Sequence, residues 1–223
     1  MNRDERPSAV SAELLSHRRR EYRGRPIGDG ELAPDPFVQF GRWFEEAEPL
    51  EIDPTAMALA TVAGDGRTSL RTVLLKGVEA GGFVFFTNYE SRKGRDIAAT
   101  GRASLLFLWL TLERQVRIEG RVERVSTQDS DAYFATRPLG SRLAAHASSQ
   151  SARVESRAAL DAAFDAARQR FPGPDVPRPD AWGGYRVVPD EFEFWQGRES
   201  RLHDRIHYLR RPSGGWEIER LAP

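Results

Sequence analysis

Hydrophobic residues recur at every second position over much of the chain from residue 56 onward, which is the period of a half-buried β-strand. AMALATVAGDGRTSLRTVLLKG predicts two strands around a Gly64-Asp65-Gly66 turn, and GGFVFFTN predicts a third. RASLLFLWL is a continuous apolar run and predicts a strand buried on both faces. Further strands are predicted at LERQVRIEGRVERV, WGGYRVVP, EFEFWQ and RLHDRIHYLR, and a Ser213-Gly214-Gly215 turn then leads to WEIERLAP.

Helical spacing appears in separate stretches. DPFVQFGRWFEEAEP has Asp35 as a predicted N-cap, Pro36 at the first helical position and aromatic residues on one face. SRKGRDIAATG predicts a short helix capped by Ser91. Residues 127–171 are predicted to be mostly helical, with an interruption at Arg137-Pro138.

Seven or eight short strands with helices inserted between them predict a mainly β protein with helices, arranged as a closed antiparallel barrel with the helices outside. The pattern leaves the strand order open. Residues 1–35 are polar and rich in Arg, Gly and Pro, so we expect a mobile N-terminal arm, with a short helix within residues 12–22. Residues 36–223 form the predicted barrel domain.

Composition excludes several classes of function. The 223 residues carry 33 Lys and Arg against 33 Asp and Glu, so the chain has no overall basic field that would attract nucleic acid. It has no cysteine, which excludes disulfides and thiolate nucleophiles. No apolar run approaches the roughly 20 residues that span a bilayer, and the N-terminus lacks a signal peptide's apolar stretch. We therefore expect a soluble, cytoplasmic protein without a membrane partner.

Cations recur near the end of the chain. On a strand, RLHDR would project Arg201, His203 and Arg205 from one face, where a bound anion would relieve their mutual repulsion. The alternative is a solvated face neutralised by Glu199 and Asp204. His203 and His207 lie four residues apart but on a predicted strand with no third ligand, so no metal site is predicted.

A second cationic group begins a predicted helix. Residues 87–93 lead from a strand into a helix N-terminus, whose free N–H groups attract anions. Arg92 and Lys93 oppose the helix dipole there, so a phosphate is favoured over two merely exposed basic residues.

Other polar residues are less informative by pattern. Strict alternation puts Arg71 and Lys76 on opposite faces of a strand. They could therefore serve one site only across a bulge or by reaching the two ends of that site. Tyr133, Arg137 and Ser141 have the spacing of one helix face, although Pro138 interrupts it. Gln115, Gln150 and Ser151 indicate nothing by themselves, and Trp195 is expected in the core.

FEFWQGRESRLHDR closely resembles the C-terminal signature of the pyridoxamine 5′-phosphate oxidase family. RREY, RTVLLK, FTNYESRKG, SLLFLWLTLERQVRIEG, YFATRP, SSQS, WGGYRV and ERLAP resemble other family segments, in the family's order, over residues 17–223. The resemblance implies a homodimeric FMN-binding split β-barrel with FMN at the subunit interface. It also implies oxidation of pyridoxine phosphate or pyridoxamine phosphate to pyridoxal phosphate, with O₂ as acceptor and H₂O₂ as by-product.

The resemblance also implies residue roles. For FMN these are Arg71, Thr72, Val73, Leu74, Leu75, Lys76, Phe86, Thr87, Arg92, Lys93, Gln115, Gln150, Ser151, Trp195 and Arg205. The substrate phosphate would bind Lys76, Tyr133, Arg137 and Ser141. Arg201, Leu202 and His203 would face the substrate ring, with Arg201 and His203 catalytic, and Arg19, Arg20, Glu21 and Tyr22 would close over it.

Two other functions stay open at this point. One is an FMN oxidase acting on a different ring, such as a phenazine precursor, which we expect to lack part of the substrate-phosphate set. The other is a non-catalytic flavin-binding or haem-binding barrel, which would need neither the RLH residues nor a closing arm.

Overall fold

The computed structural model describes residues 12–17 and 20–223, so Arg19 lies outside the described residues. The helices are α1 (Ala12–His17), α2 (Pro36–Ala47), α3 (Arg92–Thr100), α4 (Thr127–Thr136), α5 (Leu139–Ala147) and α6 (Arg157–Arg170). The strands are β1 (Ala56–Val62), β2 (Thr68–Leu74), β3 (Gly77–Glu79), β4 (Gly82–Asn88), β5 (Arg102–Trp109), β6 (Arg114–Arg124), β7 (Trp182–Gln196), β8 (Asp204–Arg210) and β9 (Trp216–Arg220).

All nine described strands belong to one antiparallel sheet in the order β2-β1-β5-β6-β7-β4-β3, with β8 added to β7 and β9 to β8. The first part of β7 pairs with β4 and the last part with β8, so the sheet divides along this strand. β2 and β3 stand at opposite ends of that order but are joined by only Leu75 and Lys76, which curls the sheet. The mainly β fold is a split β-barrel.

The hairpin of β1 and β2 is confirmed, with Gly66 at φ 83° in the turn, a conformation that glycine adopts without strain. β3 and β9 are short strands that the pattern did not predict. The two predicted strands WGGYRVVP and EFEFWQ are one strand, β7. It continues through Pro189 because the β6–β7 ladder shifts register there: Glu119 pairs with Glu191 and Gly120 with Pro189, so Asp190 is the extra residue of a bulge in β7.

The prediction that RASLLFLWL is buried on both faces was wrong. Along β5 the burial alternates: Leu105 and Phe107 are inaccessible, whereas Leu108 is 50% exposed. Apolar residues occupy the outer face, but within one copy no element of the described residues covers Leu108.

The prediction of a strand from residue 201 onward was also wrong. β8 begins at Asp204, and Glu199–Arg201 form a short 3₁₀ turn. Ser200 and Arg201 have φ of 56° and 61°, a left-handed conformation that costs a non-glycine residue about 1–3 kcal/mol. Arg201 and His203 therefore do not share a strand face with Arg205.

α2 closes the barrel core. The Asp35 side chain accepts a hydrogen bond from the Phe37 N–H at 2.8 Å, as its predicted N-cap role requires. Phe40 packs edge-to-face against Phe83 at 4.9 Å and Phe107 at 5.0 Å. Truncating a buried phenylalanine of this kind typically costs about 3–5 kcal/mol.

The predicted interruption at Arg137-Pro138 is confirmed, since α4 ends at Thr136 and α5 begins at Leu139. Among the described residues, no helix is both long and apolar enough to cross a membrane.

Candidate functional site

A cavity of about 660 Å³ opens where β2, β4, α3 and α4 meet the loop after α5. Its lining is Ser69, Leu70, Arg71, Thr72, Val73, Leu74, Lys76, Phe86, Thr87, Arg92, Lys93, Tyr133, Arg137, Gln150, Ser151 and Trp182. Five of these described residues are cations, and none is an acid. Grouped cations without a counter-charge favour an anionic ligand.

One end of the cavity is built on the start of α3. Ser91 caps the helix by accepting from the Gly94 N–H, as predicted. Lys93 is only 9% exposed, and its Nζ donates to the neutral oxygens of Gln150 at 2.8 Å and Thr87 at 3.1 Å. Burial lowers the pKa of Lys93, and the charge of Arg71 lowers it further. A phosphate here would stabilise the charged lysine.

The loop after α5 completes this end. The Arg92 N–H donates to Oγ of Ser151 at 3.2 Å, and Ser151 has φ 72°. Gln150 accepts from Oγ1 of Thr87 at 3.0 Å. Gln150 and Ser151, which no pattern distinguished, thus lie beside the two basic residues of the helix start.

Arg71 and Lys76 both line the cavity. Strict alternation does not reach Lys76, because β2 ends at Leu74 and the Lys76 N–H instead donates to the Val84 carbonyl at 2.8 Å. Leu75 is buried in the core and is not among the lining residues. Arg71 lies within β2 and Lys76 beyond its end, and both line the same cavity without a bulge in β2.

Aromatic rings form the other end. Tyr133 stacks on Phe86 at 3.9 Å, and Phe86 stacks on Trp182 at 5.5 Å. The Arg137 guanidinium lies 4.6 Å above the Trp182 ring, and its buried Nη1 has no acceptor among the described residues. Burial lowers the pKa of Arg137. Ser141 lies in α5 and does not line the cavity, because the break at Pro138 separates it from Tyr133.

A second cavity of about 630 Å³ lies elsewhere on the chain. It is lined by Arg20, Glu21, Tyr22, Arg198, Ser200, Arg201 and His203. The Tyr22 ring lies edge-on to Trp195 at 5.5 Å and to His203 at 5.4 Å. Arg20 pairs with Glu113 at 3.1 Å, which ties residues 20–22 to the barrel.

His203 has a defined tautomer. The Arg198 main-chain N–H donates to Nδ1 of His203 at 3.0 Å, so the neutral ring carries its proton on Nε2. Burial lowers the pKa of His203, and the charge of Arg201 lowers it further. Both effects favour the neutral imidazole.

Gln115, Trp195 and Arg205 stand in one row across β6, β7 and β8, so their side chains share a face of the sheet. Trp195 is half-buried on this face and not in the core, contrary to the prediction. Arg205 is held by Glu193 through bonds of 2.8 and 3.0 Å. The charge of Arg205 is therefore neutralised by an acid, as in the alternative of a solvated strand face. The acid is Glu193, and not Glu199 or Asp204.

The predicted site residues thus form two groups on one chain. Trp182, which lines the first cavity, and Trp195, in the row with Arg205, stand at opposite ends of β7, or roughly 40 Å apart along the strand at the usual rise per residue. Arg201 and His203 line the second cavity and not the first.

Sequence reasoning missed several residues. Trp182 supports Arg137, Arg198 holds His203, and Glu193 holds Arg205. The contacts of Trp182 with Arg137 and of Glu193 with Arg205 join different elements, which local pattern does not report. Arg198 and His203 lie on one turn, but alternation had assigned His203 to a strand. Within the described part of the chain, no three His, Cys, Asp or Glu side chains are grouped as metal ligands.

Comparison with known proteins gives two family matches. Residues 44–171 match the sequence model of the family described as pyridoxamine 5′-phosphate oxidase. Residues 182–223 match that of the pyridoxine 5′-phosphate oxidase C-terminal dimerisation region.

Two relatives that align over nearly their whole length have names from the same family. A pyridoxine/pyridoxamine 5′-phosphate oxidase of Burkholderia multivorans is 58% identical over 212 residues, covering 94% of this chain and 99% of the relative. One from Cupriavidus taiwanensis is 57% identical over 210 residues, with the same coverage.

Solved structures are similar in fold. PhzG from Burkholderia lata, in complex with tetrahydrophenazine-1-carboxylic acid, has a TM-score of 0.83 and 30% identity, covering 90% of this chain and 99% of PhzG. A pyridoxamine 5′-phosphate oxidase-related, FMN-binding protein from Nostoc punctiforme has a TM-score of 0.69 at 19% identity, covering 86% of this chain and all of that one. The second likeness concerns the fold alone.

Proposed function

The chain belongs to the pyridoxamine 5′-phosphate oxidase family, and from this premise we propose that it is an FMN-dependent oxidase that makes pyridoxal 5′-phosphate. Pyridoxamine phosphate, O₂ and water would give the aldehyde, ammonia and H₂O₂. Pyridoxine phosphate and O₂ would give the aldehyde and H₂O₂. When bound, FMN supplies the two-electron chemistry and the reaction with O₂.

The observation that carries the proposal is the acid-free cavity with cations at both ends. Arg71, Arg92 and Lys93 with Gln150 and Ser151 fit the flavin phosphate, because Lys93 is buried against neutral oxygens only. Lys76, Tyr133 and Arg137 fit the substrate phosphate, because Arg137 has a buried N–H group with no protein acceptor among the described residues. The flavin would lie between these two ends of the cavity and contact Thr72, Val73, Leu74, Phe86 and Thr87.

The second group of residues would act on the substrate ring. Arg201 and His203 are proposed to orient the C4′ substituent, with His203 using its Nε2 proton, and Leu202 would pack beside them. Gln115, Trp195 and Arg205 would contact FMN, and Tyr22 with Arg20 and Glu21 would cover the substrate. Holding the ring in place lowers the entropic part of the barrier.

We propose a homodimer in which the first cavity of one copy meets the second group of its partner. Two observations support it. The two groups stand far apart on one chain, and residues 182–223 match a dimerisation region. The outer sheet face between them carries exposed Leu70, Leu74 and Leu108. An isologous contact would bury these side chains.

The similarity to PhzG raises a second candidate, an oxidase of phenazine precursors. A phenazine carboxylate has one negative charge and two acceptor oxygens, whereas a phosphate has up to two charges and three such oxygens, so the cations Lys76 and Arg137 favour a phosphorylated substrate. Purified protein should be yellow and should release H₂O₂ with pyridoxamine phosphate or pyridoxine phosphate. Peroxide release with a reduced phenazine carboxylate and not with either vitamer would favour the second candidate, and colourless protein that binds no FMN would overturn both.

A further inference from the structure

Arg71 is held to the protein by one side of its guanidinium. Nη1 donates to the Leu59 carbonyl at 3.0 Å and to Oγ1 of Thr61 at 2.7 Å, and Nη2 donates to Oγ of Ser69. Nε and the second N–H of Nη2 lie together on the opposite edge. The described residues provide no hydrogen-bond acceptor for this edge, and Arg71 lines the first cavity.

Asp96 organises the hydroxyl groups that receive Arg71. Its carboxylate is 5% exposed, lies on α3 and does not line the cavity. Oδ2 of Asp96 accepts from Thr61 at 2.7 Å and from Ser69 at 2.8 Å. Since a carboxylate only accepts, each hydroxyl directs its single proton toward Asp96 and its lone pairs toward Arg71.

The direct contact between the two charges is weak by comparison. Nη2 of Arg71 is 3.9 Å from Oδ2 of Asp96, beyond hydrogen-bond distance. Burial opposes ionisation of Asp96, but the bonds from Thr61 and Ser69, followed by the charges of Arg92 and Arg71, keep the pKa of Asp96 below its usual value. The carboxylate therefore acts on Arg71 chiefly through the two hydroxyl groups.

We infer that Asp96 is a positioning residue that, through Thr61 and Ser69, turns the free edge of Arg71 toward the phosphate of the flavin nucleotide. The inference rests on the proposed FMN binding. A guanidinium edge with two parallel N–H groups matches two phosphate oxygens, so its orientation decides how well it binds. Without the carboxylate, the hydroxyl of Thr61 or of Ser69 can rotate its proton toward Arg71. The guanidinium is then no longer held in that orientation.

A double-mutant cycle tests this inference. Apoprotein of wild type, Asp96→Asn, Arg71→Ala and the double variant is titrated with FMN by quenching of flavin fluorescence. Asp96→Asn should raise the FMN Kd about tenfold when Arg71 is present and less than about twofold when it is absent. Equal increases in the two backgrounds, as a merely structural role would give, or no increase in either, would overturn the inference.

Thr61→Val provides a second variant if Asp96→Asn does not fold, because the Thr61 hydroxyl connects Asp96 to Arg71 but Thr61 does not line the cavity. It should raise the FMN Kd only when Arg71 is present. An increase independent of Arg71 would contradict the inference that Asp96 orients Arg71 through Thr61. Glu123→Gln is the matched control: Glu123 is a hydrogen-bonded carboxylate that pairs with Arg121 and Arg186 and lines neither cavity, so its loss should leave the Kd unchanged.

The wild-type titration separates this inference from the proposed function. Wild-type protein that binds no FMN overturns both. Wild-type protein that binds FMN, together with Asp96→Asn protein that binds it equally well, overturns only the role of Asp96.

Discussion

The main-chain N–H of Arg198 donates a hydrogen bond to Nδ1 of His203 across a tight turn, at 3.0 Å. The turn includes Ser200 and Arg201 in left-handed conformations. Such conformations persist only where the surrounding structure imposes them, and they are concentrated at functional sites. The bond commits Nε2 of His203 to carrying the proton of the neutral ring, which makes Nε2 the atom available to a ligand.

Arg201 should influence the titration of His203. Burial and then the charge of Arg201 lower the pKa of His203, so Arg201→Gln should raise it. The acidic limb of activity that depends on neutral His203 should then move to higher pH. NMR titration of the imidazole nitrogens in wild type and Arg201→Gln measures the pKa directly. Arg168→Gln, an exposed change on α6, should leave it unaltered, and an unaltered value in Arg201→Gln would show that the charge does not act on His203.

Arg201 itself should matter for turnover rather than for flavin content. Arg201→Ala should lower kcat about 100-fold, the order expected when a positioned catalytic group is removed, with FMN occupancy unchanged. Peroxide release and the absorbance ratio of flavin to protein provide the two measurements. Full turnover in Arg201→Ala would refute the proposed catalytic role.

Arg137 should bind the substrate phosphate. Arg137→Ala should raise KM for pyridoxamine phosphate about tenfold or more, because a charge-assisted, bidentate contact is lost. Arg137→Lys keeps the charge but not the planar fork over Trp182, so it should recover only part of the affinity. An unchanged KM in Arg137→Ala would contradict the phosphate assignment.

Lys93 should stabilise the complex with FMN but not the apoprotein. No acidic side chain among the described residues pairs with its buried ammonium, so Lys93→Met should weaken FMN binding while leaving the Tm of the apoprotein unchanged or higher. Calorimetry of the apoprotein and FMN titration measure the two effects separately. Arg168→Met, which removes an exposed charge, should alter neither. Retention of full FMN affinity in Lys93→Met would exclude Lys93 as a phosphate ligand.

Inactive variants should complement one another if each site draws on two copies. In a mixed dimer of Arg137→Ala and Arg201→Ala, one site would carry both changes and the other would carry neither. Random exchange at equal concentrations should restore about one quarter of wild-type activity, because half the dimers are mixed and each has one intact site. No recovery after verified subunit exchange would indicate that each site belongs to a single chain.

Local pattern predicted much of the architecture. Alternation located most of the strands, and the capping residues Asp35 and Ser91 marked two helix starts correctly. These features depend on backbone geometry within a few residues. The pattern failed at Arg201 because alternation in the sequence begins there, whereas β8 begins only at Asp204 and a left-handed turn precedes it.

The sequence by itself determined only the chemistry of the candidate site. Two basic clusters, one of them at a helix N-terminus, and the family motifs predicted which residues would form it. Tertiary structure alone decided that Arg71, Lys76, Lys93 and Arg137 line one cavity, while Arg201 and His203 line another. The reason is physical. Periodicity reports which way a side chain faces on its own strand, whereas the neighbours it meets are set by strand order and curl, which arise from contacts between residues far apart in the chain.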